Sequence, residues 1–420
     1  MKYTISKKAN EKIEKDMELI CEEIKKSIPD TISIILTGGF SRGEGPVKLI
    51  NKKYYPYNDY DIQVISKTKL SKEDSDRLSI EISKKLGYKG IINFYPFKKE
   101  EQKLQENFYI DLKVDTPNDL KKLLPRIRTI ELKKYSYILF GEDVRDLIPE
   151  YKLEEMPLSE GAKLLLDRMS QMIEYFSKED KHDKEFLTYI IQQAYAAICT
   201  SLLLVSGKYE IGYKNSMLIF KKNYKTDFPE LFKVIPSLDK KIEEFIKWKI
   251  DPKKLPNKDV VKEWFIARDS ILEVSKYFFN NFLKKEINNI TDLSKNILEM
   301  RKDFYMPYLK EIIKKKSGIN FSNISVIFLP ILTLIMKYKY YKRLKSLGIT
   351  YKRLFFNSSP DLIIFASLIY LITGIENNES ENIEKSRILL KKVYPVKSEN
   401  WEDLSLEYAN AYIAFFLQKI

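Results

Sequence analysis

The run Thr31-Ile32-Ser33-Ile34-Ile35-Leu36-Thr37, closed by Gly38-Gly39, narrows the available folds more than any other stretch of this chain. β-Branched side chains are stiff about χ1 and suit a pleated backbone, and the glycines release the chain into a turn. The run therefore predicts a strand entering a glycine turn. Before it, Ile13, Met17, Ile20, Ile24 and Ile28 recur at helical spacing, which predicts an amphipathic helix over 7–28 stopped by Pro29. After it, a polar loop over 43–58 carrying Pro46 and Pro56 leads into a second strand, 59–65. A helix over 71–86 ends at Gly87, and two further strand-like runs occupy 89–97 and 107–114. This succession predicts an α+β fold: an N-terminal mixed sheet with flanking helices.

From about residue 118 onward the periodicity is helical almost throughout, with breaks at Pro125, Gly141, Pro149 and Pro157. Leu164, Leu165, Arg168, Met169, Met172 and Phe176 mark one helix, and 190–205 a long apolar one closed by Ser206-Gly207. The expected C-terminal region is therefore all-helical. A boundary is expected near Ser317-Gly318, after Lys314-Lys315-Lys316, giving a division into 1–150, 151–317 and 318–420. The linker candidates are short and poor in Gly and Pro, so the parts are expected to pack together, with 318–420 as a helical accessory unit.

One histidine, His182, and two cysteines, Cys21 and Cys199, exclude a Cys/His zinc site, a disulfide framework and a cysteine-histidine nucleophile. His182 lies in a charged stretch, 178–184, which suits a solvated surface rather than a catalytic triad. Catalysis, if present, has to rest on carboxylates, hydroxyls, Lys, Arg or a hard metal. The first residues lack the apolar core of a secretory signal, so the expected location is cytoplasmic. The apolar runs 324–336 and 362–375 are shorter than the ~20 residues that span a bilayer and are expected to be core helices. Lysines interleaved with Tyr338, Tyr340 and Tyr341 after the first run leave an interfacial membrane contact as the lesser alternative. The net charge of +14 permits a phosphate-bearing partner, although Lys and Glu are mixed along the chain.

Asp59 and Asp61 stand at i and i+2 on a predicted strand and so share a face. Burying two like charges is costly without a cation between them, and Mg²⁺ or Mn²⁺ with oxygen ligands is the natural counter-charge. Asp111, between Ile110 and Leu112 on another predicted strand, is a third candidate ligand. Upstream, Gly38-Gly39-Phe40-Ser41-Arg42-Gly43-Glu44 follows the first strand, where backbone N–H groups with Ser41 and Arg42 are placed to meet phosphate oxygens.

This ordered combination resembles the nucleotidyltransferase-fold superfamily, the group of DNA polymerase beta, minimal nucleotidyltransferases and aminoglycoside nucleotidyltransferases. Its glycine turn, Asp-x-Asp strand and third acidic residue are matched by 36–44, 58–62 and 109–112. Residues 138–144 resemble a segment common where the catalytic domain meets a helical one. The resemblance covers roughly residues 1–220, and two positions depart from it. Gly39 stands where the family carries Ser, and Gln193 where relatives often carry a phosphate-contacting Lys. The resemblance implies a metal-dependent transfer of a nucleoside monophosphate from an NTP, ATP by first choice, to an acceptor that is a small molecule or RNA, with release of pyrophosphate. It implies Asp59, Asp61 and Asp111 as catalytic and metal-binding residues, and Gly38, Gly39, Ser41, Arg42 and Arg168 as nucleotide-binding residues. Two alternatives stay open: a catalytically inactive nucleotide-binding or regulatory protein, and a toxin-like RNA-modifying transferase.

Overall fold

The computed structural model describes residues 3–57, 59–90, 108–177, 183–252, 258–317, 328–375 and 380–417. In chain order the first elements are α1 (Lys7–Ser27), β1 (Thr31–Leu36), α2 (Gly38–Ser41), β2 (Val47–Ile50), β3 (Lys53–Pro56), β4 (Tyr60–Ser66), α3 (Lys72–Lys85), β5 (Ile110–Asp115), α4 (Pro117–Leu120), α5 (Ile127–Lys134) and β6 (Tyr137–Gly141). Helices follow: α6 (Ser159–Glu174), α7 (Lys184–Val205), α8 (Tyr213–Asp227), α9 (Pro229–Val234), α10 (Leu238–Ile250) and α11 (Val260–Leu283). The last are α12 (Ile290–Glu299), α13 (Arg301–Ser317), α14 (Phe328–Ser346), α15 (Pro360–Thr373), α16 (Ser380–Leu390) and α17 (Trp401–Tyr412). The fold is α+β: a small mixed sheet near the N-terminus followed by helices.

The chain forms two compact units, neither continuous in sequence. One comprises the described parts of Met1–Ile92, Gln102–Met156 and Asp183–Lys258, and the other those of Pro157–His182 and Asp259–Ile420.

The first unit is built on a four-stranded sheet of order β5-β4-β1-β6 among the described residues. β1 runs antiparallel to both β4 and β6, whereas β4 and β5 are parallel. Both faces of β1 are covered, which is why its run is apolar without alternation. On one face Ile34 and Leu36 join Ile13, Ile20 and Ile24 of α1 and Leu78 and Ile82 of α3, and on the other Ile35 joins Leu120, Leu132 and Ile148. α1 starts where the Ser6 hydroxyl accepts the Ala9 N–H at 3.3 Å. α3 is capped likewise by Ser71, which accepts from the Asp74 N–H at 3.1 Å.

Two segments differ from the sequence expectation. The loop expected over 43–58 contains a hairpin, β2 paired with β3. Its turn is Asn51-Lys52, both at positive φ (48° and 65°), the conformation a two-residue hairpin turn requires. No Asn-Gly signature announced it. Within the region expected to be helical, β6 pairs with β1. A five-residue apolar run is ambiguous by period, and the free edge of β1 resolves it. Gly141 ends that strand at φ +83°, where an added Cβ would lie 2.0 Å from the Ile32 carbonyl oxygen. The strand expected at 89–97 lies outside the described residues, apart from its first two positions.

In the second unit α15 is buried along nearly its whole length and packed by α6, α12, α16 and α17. Neighbouring side chains bond its carbonyls: the Trp401 indole N–H donates to Leu371 at 2.8 Å, Ser294 to Ala366 at 2.9 Å and Ser386 to Ser367 at 2.9 Å. Among the described residues one helix, α7, is long and apolar enough to cross a membrane. Because 83% of its apolar window is buried within the protein, it behaves as a core helix.

Candidate functional site

The parallel pairing of β4 with β5 sets Asp61 directly beside Asp111. Adjacent strands lie about 4.8 Å apart and registered residues point to one side of the sheet, so the two carboxylates share a face. Asp59, immediately before β4, falls on that face by the two-residue period. The glycine turn is pinned against the same strand, since the Thr37 N–H donates to the Asp61 carbonyl at 2.9 Å. Gly38 adopts φ +71°, and a Cβ there would stand 2.1 Å from Asp61 Oδ2. Glycine is required at this position because the Asp61 carboxylate occupies the space of a side chain.

Cations approach from two directions. Arg128 on α5 brings a guanidinium nitrogen to 3.5 Å from Asp111 Oδ2. Lys249, in the last turn of α10, is 6% exposed and lies 4.9 Å from the Tyr213 ring centroid and 5.5 Å from that of Tyr189. Its charge acts on Asp59. Asp59 and Asp61 keep some accessible surface, yet the surrounding protein strips away enough water to favour their protonated forms. Burial, followed by repulsion from Asp111, raises Asp59 to about 6, against the pull of Lys249 and Arg128. Burial, then the charges of Asp59 and Asp111, holds Asp61 well above the usual carboxylate range. The Tyr109 phenol beside them is raised by the same causes.

A second charge network holds the turn. Arg42 meets Glu131 at 3.0 Å and Glu44 at 3.4 Å, and Glu44 accepts the Tyr213 and Lys214 N–H groups at 3.0 and 2.9 Å, capping α8. The Ser41 hydroxyl lies 2.8 Å from both the Gly38 and Tyr135 carbonyls. Asp59, Asp61, Asp111 and Gly38 are thus brought together. Gly39 lies beside them in the turn, against the Glu44 carbonyl, while Ser41 and Arg42 have partners within the protein. Arg168 belongs to the second unit, where it donates to Gln171 Oε1 at 2.6 Å.

Sequence reasoning passed over Arg128, Glu131 and Lys249. A signal existed for Lys249: Ile242, Phe245, Ile246 and Lys249 form an i, i+3, i+4, i+7 stripe, so this lysine occupies a position on the buried face of α10. Arg128 carries no comparable mark.

Among the described residues no group of three or more His, Cys, Asp or Glu side chains is disposed to hold a metal ion. What suits Mg²⁺ or Mn²⁺ is the chemistry of the donors, which are hard carboxylate oxygens on adjacent strands. None of the known protein families, curated proteins or solved structures matches this chain.

Proposed function

We propose that the chain is a metal-dependent nucleotidyltransferase that moves a nucleoside monophosphate from an NTP, ATP by first choice, to an acceptor hydroxyl or phosphate in the cytoplasm, releasing pyrophosphate. The observation that carries this reading is the registry of Asp61 with Asp111 on adjacent parallel strands, with Gly38 packed against Asp61. Asp59 and Asp61 would hold Mg²⁺ or Mn²⁺, with Asp111 as the third ligand. When bound, the metal supplies positive charge to the attacking oxygen and the departing pyrophosphate. Asp111 would orient the acceptor hydroxyl and take its proton. The turn Gly38–Ser41 would offer backbone N–H groups to the triphosphate.

A nucleotide-binding protein without turnover is the second reading. It is favoured by Arg42, whose guanidinium is taken by Glu131 and Glu44, and by Ser41, whose hydroxyl faces two carbonyls. An RNA acceptor, as in a toxin-like transferase, is a variant of the first.

With α-labelled NTPs, Mg²⁺ and a cell extract as the acceptor source, wild type is expected to transfer label to a discrete species. Asp59→Ala, Asp61→Ala and Asp111→Ala should each lower transfer by about 100-fold or more. Tight NTP binding with no transfer under either metal supports the second reading. Transfer that survives in Asp61→Ala refutes the mechanism.

A further inference from the structure

Acidic residues are spread along this chain except in one place. Between Glu311 and Asp361 there is no Asp or Glu, while ten Lys and Arg occur. The described heart of that stretch is α14. One side of α14 is its seat: Leu329, Thr333, Tyr340 and Leu344 are buried, Lys337 donates to the Phe355 and Asn357 carbonyls, and Arg343 donates to Phe415. Among the described residues the opposite side is uncovered. Ile331, Leu334, Ile335 and Tyr338 recur at helical spacing and are exposed, Leu334 by 60%. The same stripe continues into Lys339, Lys342 and Lys345, which are exposed as well. On the turn that follows, Phe356 is 88% exposed beside exposed Lys352 and Arg353. The face contains a groove of about 670 Å³ whose lining includes Leu334, Ile335, Tyr338, Lys339, Lys342 and Phe355.

We propose that this face of α14 docks on an anionic lipid bilayer, with Ile331, Leu334, Ile335 and Phe356 entering the acyl boundary and Lys339, Lys342 and Lys345 meeting the phosphate headgroups. Charge complementarity identifies the occupant. A face with an apolar half, a tyrosine at the border and a basic half, on a stretch of chain without Asp or Glu, matches the order of layers at a lipid surface. The apolar part from Phe328 to Tyr338 is ~15 Å long at ~1.5 Å per residue, about half of the ~30 Å hydrocarbon core, so it fits an interfacial seat and not a span. A second copy of the chain would bring one basic face against another, with no carboxylate on this stretch to pair with it. RNA would use the lysines but would gain nothing from exposed Ile331, Leu334 and Ile335. None of these residues is among those assigned to the proposed transfer reaction, so the docking proposal does not rest on that reading.

The test uses the full-length protein in co-sedimentation with phosphatidylcholine vesicles, with and without about 30% phosphatidylserine, at about 0.15 M salt. Binding is expected with the anionic vesicles and not with pure phosphatidylcholine. Leu334→Glu and Lys342→Glu should each lower the partition by about tenfold or more. Both sites are exposed, so the circular dichroism spectrum should be retained. Leu218→Glu, at an exposed apolar position of the first unit, should bind as wild type does. The proposal fails if the protein does not pellet with anionic vesicles, if it pellets equally with neutral ones, or if Leu334→Glu binds like wild type. It is also overturned by a solution dimer that Leu334→Glu dissociates, which gives the face to a second copy, or by RNA binding lost in Leu334→Glu without vesicle binding.

Discussion

Replacing Asp59 by Asn tests the electrostatics of the carboxylate cluster without any assumption about substrate. In the folded protein Asp59 titrates near 6 instead of 3.8, because burial and the Asp111 charge disfavour its ionised form. The folded state therefore binds this proton more tightly than the unfolded chain does. Stability is lost as pH rises from about 3.8 to about 6, and the penalty is fully developed above that. One pKa unit is worth about 1.4 kcal/mol, so the penalty at pH 7.5 is up to about 3 kcal/mol, reduced by the surface Asp59 still exposes. Asparagine keeps the shape and removes the charge. Asp59→Asn should thus be more stable than wild type by about 2–3 kcal/mol at pH 7.5, equivalent to roughly 2–6 °C in Tm, and nearly equal to it at pH 4. Urea or thermal unfolding in EDTA at the two pH values measures this directly. Mn²⁺ added at pH 7.5 should stabilise wild type and not the variant, since binding to the folded state alone raises stability by mass action. A variant less stable than wild type at pH 7.5, or a gap that does not change with pH, would refute the reasoning.

Two further predictions concern positions outside the cluster. Gly141→Ala should destabilise the protein by about 3 kcal/mol or more in urea unfolding, since its Cβ would meet the Ile32 carbonyl oxygen at 2.0 Å, whereas Gly87→Ala, at a similar positive φ but in open space, should cost only about 1 kcal/mol; equal costs would show that backbone strain alone matters. Glu174 is buried with Oε1 unpartnered, and burial, then the Asp167 charge, raises it to about 8, so Glu174→Gln should gain stability over wild type progressively between about pH 4.5 and pH 8 with no further gain above, and a constant difference across that range would contradict its buried, protonated state.

The chain by itself determined what depends on local period. The stripe Ile13, Met17, Ile20 and Ile24 specifies α1, the β-branched run specifies β1, and the two-residue alternation of a strand places Asp59 and Asp61 on one face whatever surrounds them. Gly38 was legible as a turn glycine, but its reason was not: only the fold brings the Asp61 carboxylate, 23 positions later, into the space a Cβ would take. Tertiary structure alone decided that β5 lies beside β4, which turns Asp111 from a lone acidic residue on an apolar strand into the neighbour of Asp61. It decided that Tyr137–Gly141 is a strand and not helix, because β1 had an edge to satisfy. It decided also that 183–258 folds with the sheet and delivers Lys249 to Asp59. The physical reason is common to all of these. Backbone geometry fixes which side chains of one segment face the same way, but the partner each face buries against is chosen by the free energy of the whole core, in which distant segments compete and nearest neighbours in sequence have no say.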